Sequence, residues 1–209
     1  LLTILTTLTA TINSMSADSF NGGIIGGQNI STLATYAALV DPNGALIDVS
    51  GGNFPTIGQI NGVSINNSGI GLIGGRNNGT GAAYAAVVAP NGQLTQVTGG
   101  NFPTISGTIS SASINDSGVG IIGGRNLATS AAYAALVALN GQLTQLTGGN
   151  IPAAGPINSV AINSSGTGII GGQNTGTLAA YAAFAASNGQ LTQLTGGNLP
   201  ASGTINSAS

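Results

Sequence analysis

A segment of about 48 residues recurs four times in this 209-residue chain, and that periodicity limits the possible fold more than any other feature. The Gly-Gly pair that follows Ile-Ile or Leu-Ile begins at Gly26, Gly74, Gly123 and Gly171. Tyr36, Tyr84, Tyr133 and Tyr181 keep the same intervals, and so do the Asn-Gly pairs that begin at Asn43, Asn91, Asn140 and Asn188. One structural unit has therefore been copied, and every tyrosine of the chain occupies a single position in it.

The last complete copy shows what the unit is. Residues 157–162 (INSVAI) alternate apolar with small or polar residues and end at Asn163-Ser164-Ser165-Gly166, a strand followed by a turn. Residues 168–173 (GIIGGQ) form a second strand, whose paired glycines suit a close approach of backbones. Residues 179–186 (AAYAAFAA) are continuously apolar, as in a strand buried on both faces. Asn188-Gly189 predicts a two-residue type I′ turn into a fourth strand at 190–194 (QLTQL). Glycines and a proline at 196–200, as at 51–55, 99–103 and 148–152, stop the strand and read as the crossover to the next copy.

Four short antiparallel strands and one longer crossover make a propeller blade. The predicted fold is all-β, a β-propeller of four blades at 12–59, 60–108, 109–156 and 157–204, with 205–209 as the first strand of a further blade. Residues 1–11 read as a strand left from a preceding blade or as the end of a signal segment. A parallel β-solenoid is the alternative, because each repeat also divides into halves of about 24 residues. The Asn-Gly hairpins favour the propeller, since so short a connection joins antiparallel strands only.

Charged residues are 3% of the chain: Arg76, Arg125, Asp18, Asp41, Asp48 and Asp116. Two arginines on a net charge of -2 cannot neutralise a row of phosphates, which excludes nucleic-acid binding. The longest nearly apolar stretch, 131–139, is about half the ~20 residues of a spanning helix, so no membrane insertion is expected. Disorder is excluded too, because 42% of the residues are hydrophobic.

Residues 157–162 (INSVAI), the turn ending in Gly166 and the apolar Ile169-Ile170 resemble WD-repeat propellers without the WD dipeptide. The segments INSVAIN, GIIGGQ, YAALV and Asn-Gly are more similar to the nearly uncharged propeller repeats in the passenger regions of bacterial autotransporters. That resemblance covers 12–209 and implies display at the bacterial cell surface, outside the cell, with adhesion to a host surface.

With no His, Lys, Glu or Cys, and four aspartates at non-equivalent repeat positions, the chain has no predicted catalytic, cofactor-binding or metal residue. The expectation is a non-enzymatic structural or adhesive domain, with a glycan-binding propeller as the alternative and ice binding as a weaker one. Arg76 and Arg125 share one repeat position, filled by Gln28 and Gln173 in the other copies, and read as solvent-exposed. Tyr36, Tyr84, Tyr133 and Tyr181 fit either packing between blades or stacking on a sugar, and Phe54 and Phe102 read as plugs in the crossovers. Leu2-Thr3-Ile4-Leu5-Thr6 matches a fourth strand and Ile205-Asn206-Ser207 a first strand, so the chain is expected to be a segment of a longer array or to self-associate through its edges into a ring or fibre.

Overall fold

The computed structural model describes residues 10–196 and 199–208. Every regular element among them is a strand, and the strands form four sheets. The first sheet holds β1 (Ala10–Ala17), β2 (Gly23–Asn29), β3 (Thr35–Val40) and β4 (Leu46–Asp48). The second runs from β5 (Ser50–Gly51) through β6 (Gly58–Ile65), β7 (Gly71–Asn77) and β8 (Ala83–Val88) to β9 (Gln93–Gln96). The third holds β10 (Gly107–Ile114), β11 (Gly120–Asn126), β12 (Ala132–Val137) and β13 (Leu143–Gln145). The fourth holds β14 (Thr147–Gly148), β15 (Ile157–Ile162), β16 (Gly168–Gln173), β17 (Ala180–Ala185) and β18 (Gln190–Gln193). Each sheet is one blade, its own four strands antiparallel and in sequence order, which removes the solenoid alternative.

Two local expectations are corrected. The turn from the third to the fourth strand is not type I′, because Gly92 has φ +82° while Asn91 is not left-handed. Ala89 and Gln93 close a three-residue loop by hydrogen bonds from Ala89 N to Gln93 O and from Gly92 N to Ala89 O, a type I turn ending in a left-handed glycine. The crossovers, read as strand stops, contribute strands as well. After β4 the chain pairs β5 in parallel with β9 of the next blade, and β14 pairs with β18 in the same way. Each crossover thus stitches the rim of one blade to the rim of the next. The expected strand at 2–6 lies outside the described residues.

The hydrophobic core is three layers between blades. Ile24 and Leu39 of the first blade pack with Ile60, Val63, Ile73 and Val88 of the second, and the pattern recurs between blades 2 and 3 and between blades 3 and 4. Burying each such aliphatic side chain contributes about 1.5–3 kcal/mol. Because layers lie on both faces of a middle blade, β8 is buried along its whole length, which explains the unbroken apolar run of the third strand.

Blade 1 breaks the pattern at Thr35, where the other copies have Ala83, Ala132 and Ala180. Its hydroxyl is buried and has no hydrogen-bond partner among the described residues. Thr35→Ala is therefore expected to raise stability by about 1 kcal/mol in a urea titration, since it removes the desolvation penalty of that oxygen. A loss of stability would mean that the hydroxyl is satisfied.

Arg76 and Arg125 lie inside β7 and β11, paired on both sides. Trypsin has only these two sites, and cleavage there requires the sheet to open. The native chain should stay intact under conditions that cut the heat-unfolded chain into three pieces. Equal rates for the two would place both arginines outside the sheets.

Candidate functional site

The first strand of every blade is the inner edge of its sheet, and these edges pack in series, β1 on β6, β6 on β10 and β10 on β15. An exposed sheet edge carries unpaired backbone groups, and here side chains of the neighbouring blade take them up. Each inner strand has a bulge, between Ile12 and Ser14, Ile60 and Gly62, Ile109 and Ser111, and Ile157 and Ser159. The extra residue is Asn13, Asn61, Ser110 or Asn158, and at Asn13 and Asn61 the side chain reaches the next blade. Asn13 Nδ2 donates to Ile60 O at 3.0 Å, and Asn61 Nδ2 to Ile109 O at 3.0 Å. In the other direction Val63 N donates to Ser14 Oγ at 3.1 Å, Ile114 N to Ser64 Oγ at 3.2 Å and Val160 N to Ser111 Oγ at 3.2 Å.

A second ladder joins the turns above these strands. Asn66 Nδ2 donates to Asn115 O, and Asn115 Nδ2 to Asn163 O, while the Asn66 and Asn115 side-chain oxygens accept backbone N–H groups of their own turns. Asp116 belongs to the same level, its carboxylate accepting from Asn67 N and Nδ2. Asp18 and Asp41 accept two backbone N–H groups each within their own turns. The carboxylates thus stay apart, and among the described residues no three groups of metal-ligating type come together.

The tyrosines are packing residues. Tyr84, Tyr133 and Tyr181 are buried, and their hydroxyls donate to the crossover carbonyls of Gly52, Gly100 and Gly149 at 2.9–3.1 Å. Phe54 and Phe102 lie edge-on to Tyr84 and Tyr133, with ring centres 5.9 Å apart. Burial raises the ionisation of Tyr84 and Tyr133 well above the usual phenol range and pushes Tyr181 up to about 12. Tyr36, half-buried on blade 1, is raised by burial first and by the charge of Asp48 second.

These shifts have a sign. The folded state holds phenol protons that the unfolded chain gives up near pH ~10, so the contribution is complete below that pH and is lost as pH rises past it. With no His, Cys or Lys, no other side-chain type complicates the alkaline side. Urea midpoints should be level from neutral pH to about 10 and fall above it, with the phenolate absorbance of Tyr84, Tyr133 and Tyr181 appearing only as the chain unfolds. Early phenolate absorbance from a Tyr36→Phe chain while it is still native would contradict the burial.

Arg125 is a brace more than a free charge. Arg125 Nε donates to Ser130 O at 3.2 Å, and Gln28 and Gln173 donate from the same repeat position to Leu33 O and Leu178 O. Ser130, Leu33 and Leu178 are left-handed, with φ of 64°, 59° and 62°, so each donor holds a strained loop. Arg76 is partly buried at the same repeat position, but its Nε has no hydrogen-bond partner among the described residues, so the second blade lacks this brace. Both positions correct the solvent-exposed reading.

Sequence reasoning missed the inner row of Asn and Ser. Its only signal was a pair of small or polar residues after the first isoleucine of each inner strand, Asn13-Ser14, Asn61-Gly62, Ser110-Ser111 and Asn158-Ser159. With the partly exposed Gln59 and Thr108 beside it, the row offers neutral donors and acceptors. None of these groups moves a proton near neutral pH, so the row can bind and orient but cannot act as an acid or base.

No family model matches the chain, and no curated protein matches it. Solved structures do. A puromycin hydrolase is similar over 88% of this chain and 28% of its own at 11% identity, TM-score 0.57. A gluconolactonase from Xanthomonas campestris is similar over 94% of this chain and 64% of its own at 12% identity, TM-score 0.54. The Dos1 propeller is similar over 89% of this chain and 47% of its own at 13% identity, TM-score 0.52. The chain therefore spans less than two thirds of each of these proteins. Fold and inner row together define a β-propeller of four blades.

These neighbours correct the functional expectation. A non-enzymatic structural or adhesive domain, a glycan-binding propeller and an ice-binding protein all find no support, whereas gluconolactonase and hydrolase propellers stand among the similar structures. The inventory of side chains could not see this, because a propeller likeness is carried by backbone arrangement and not by residue types.

Proposed function

We propose that this chain forms propeller blades of a hydrolytic enzyme acting on an uncharged polar substrate, a lactone or an amide, at the bacterial cell surface. The observation that carries this reading is the likeness to the gluconolactonase over nearly the whole chain. The inner row supports it chemically. Carboxamides and hydroxyls match the ring oxygens and hydroxyls of a lactone or the amide of a peptide, and a charged substrate would find no counter-charge there. In this reading the row holds and orients the substrate, and the chemical step belongs to groups outside it. Surface display rests on the resemblance to autotransporter passenger repeats.

The test is acid release from an aldonolactone in a pH-stat and ammonia release from an aminoacyl amide. Turnover of either is expected, with Gln59→Leu raising KM and leaving kcat unchanged. Absence of turnover on both substrates would remove the reading. Antibody labelling of intact cells tests the location separately.

A further inference from the structure

The three blade interfaces are built alike. The front of one blade presents Ile24 and Leu39, Leu72 and Val87, or Ile121 and Leu136, and all six are covered by the back of the next blade. On blade 4 the corresponding cross-strand pair is Ile169 and Phe184, and Phe184 is 49% exposed where Leu136 is 6%. The pair edges a groove of about 250 Å³. The back of blade 1 is open as well. Met15 is 63% exposed where Val63 is 6%, and Ile25, Val40 and Leu46 are partly exposed where Ile73, Val88 and Leu94 are buried. Blades 1 and 4 thus carry the two halves of an interface that recurs three times between the blades.

The inner part of the blade 4 front already holds an occupant, and its sequence is informative. Residues 204–208 (TINSA) lie there, with Ile205 against Gly171 as Ile60, Ile109 and Ile157 lie against Gly26, Gly74 and Gly123. Ala208 N donates to Ser159 Oγ at 2.7 Å, as Val160 N does to Ser111 Oγ. Thr11-Ile12-Asn13-Ser14 of β1 repeats Thr204-Ile205-Asn206-Ser207 letter for letter. The site accepts the sequence that β1 carries, and β1 brings a whole apolar sheet behind it.

We propose that the front of blade 4 binds the back of blade 1 of a second copy, with β1 displacing residues 204–208. Such a contact is heterologous, so it propagates into a ring or a fibre. No Lys or Glu guards either face against it.

Sedimentation of the full chain over a concentration series tests the proposal. The wild type should associate, and Phe184→Asp and Met15→Asp should each weaken association at least about tenfold. Both residues are exposed, so neither change opens the core. Mixing the two variants should give a dimer and stop there, because Met15→Asp keeps a sound blade 4 and Phe184→Asp a sound blade 1. Ile205→Asp, which loosens residues 204–208, should strengthen association. A wild type that stays a 20.0 kDa monomer, variants that associate like the wild type, a mixture that does not pair, or weaker association of Ile205→Asp would each overturn it.

Discussion

Gly124→Ala is expected to cost at least about 3 kcal/mol of stability, a large loss for the addition of one methyl group. Gly124 lies in β11 opposite Ile109, beside the bulge of β10. A Cβ there would run into the carbonyl oxygen of Thr108 and the Cα of Ile109, and both are backbone atoms that cannot rotate away. Gly27, Gly75 and Gly172 meet the same obstacle at Thr11, Gln59 and Pro156. Relief would require flattening the bulge, the irregularity from which Asn13 and Asn61 reach the next blade. Gly79→Ala is the control, since its nearest neighbour would be Asn77 Oδ1 at 3.3 Å and its φ is not left-handed. That change should stay within about 0.5 kcal/mol. Urea midpoints of the two variants decide the matter, and a Gly124→Ala chain as stable as the Gly79→Ala chain would refute the described register.

Tyr133→Ala is expected to cost about 3–5 kcal/mol, because a large buried ring is lost from the layer between blades 2 and 3. Tyr133→Phe separates the parts of that loss. It keeps the edge-on contact with Phe102 and removes only the hydrogen bond to Gly100 O, for about 1 kcal/mol. The same replacement by alanine at Tyr181 should cost about 0.5–1.5 kcal/mol less, since Ile151 stands where Phe102 stands and no ring pair is broken. Equal losses at the two sites would show that the aromatic pair adds nothing to burial.

The strands were legible because their patterns are local. Residues 157–162 and 168–173 follow alternation and a glycine pair, and the strands β15 and β16 fall on them. The turn at Asn91-Gly92 was legible only in part, because one dipeptide serves both a two-residue loop and a three-residue loop, and the choice depends on strand twist. The parallel strand Ser50–Gly51 was hidden for a different reason. Its pairing is with Gln93 and Leu94, more than forty residues on, and its glycines signal a break in the local sequence. The roles of Arg125 and Ser111 depend likewise on what the fold brings near them. The candidate site was least legible of all, because Asn and Ser carry chemistry only through the backbone groups they meet across a blade boundary.

The polar ladders between blades consist almost wholly of neutral groups: serine hydroxyls, asparagine and glutamine amides, and backbone. Dissolved ions screen interactions between charges over roughly 8–10 Å at moderate ionic strength and leave contacts between uncharged partners nearly untouched. A propeller held by carboxylate and ammonium pairs would loosen on moving from fresh water to brine. This one meets both media with the same set of bonds, so the spacing of its blades is indifferent to the salinity around it.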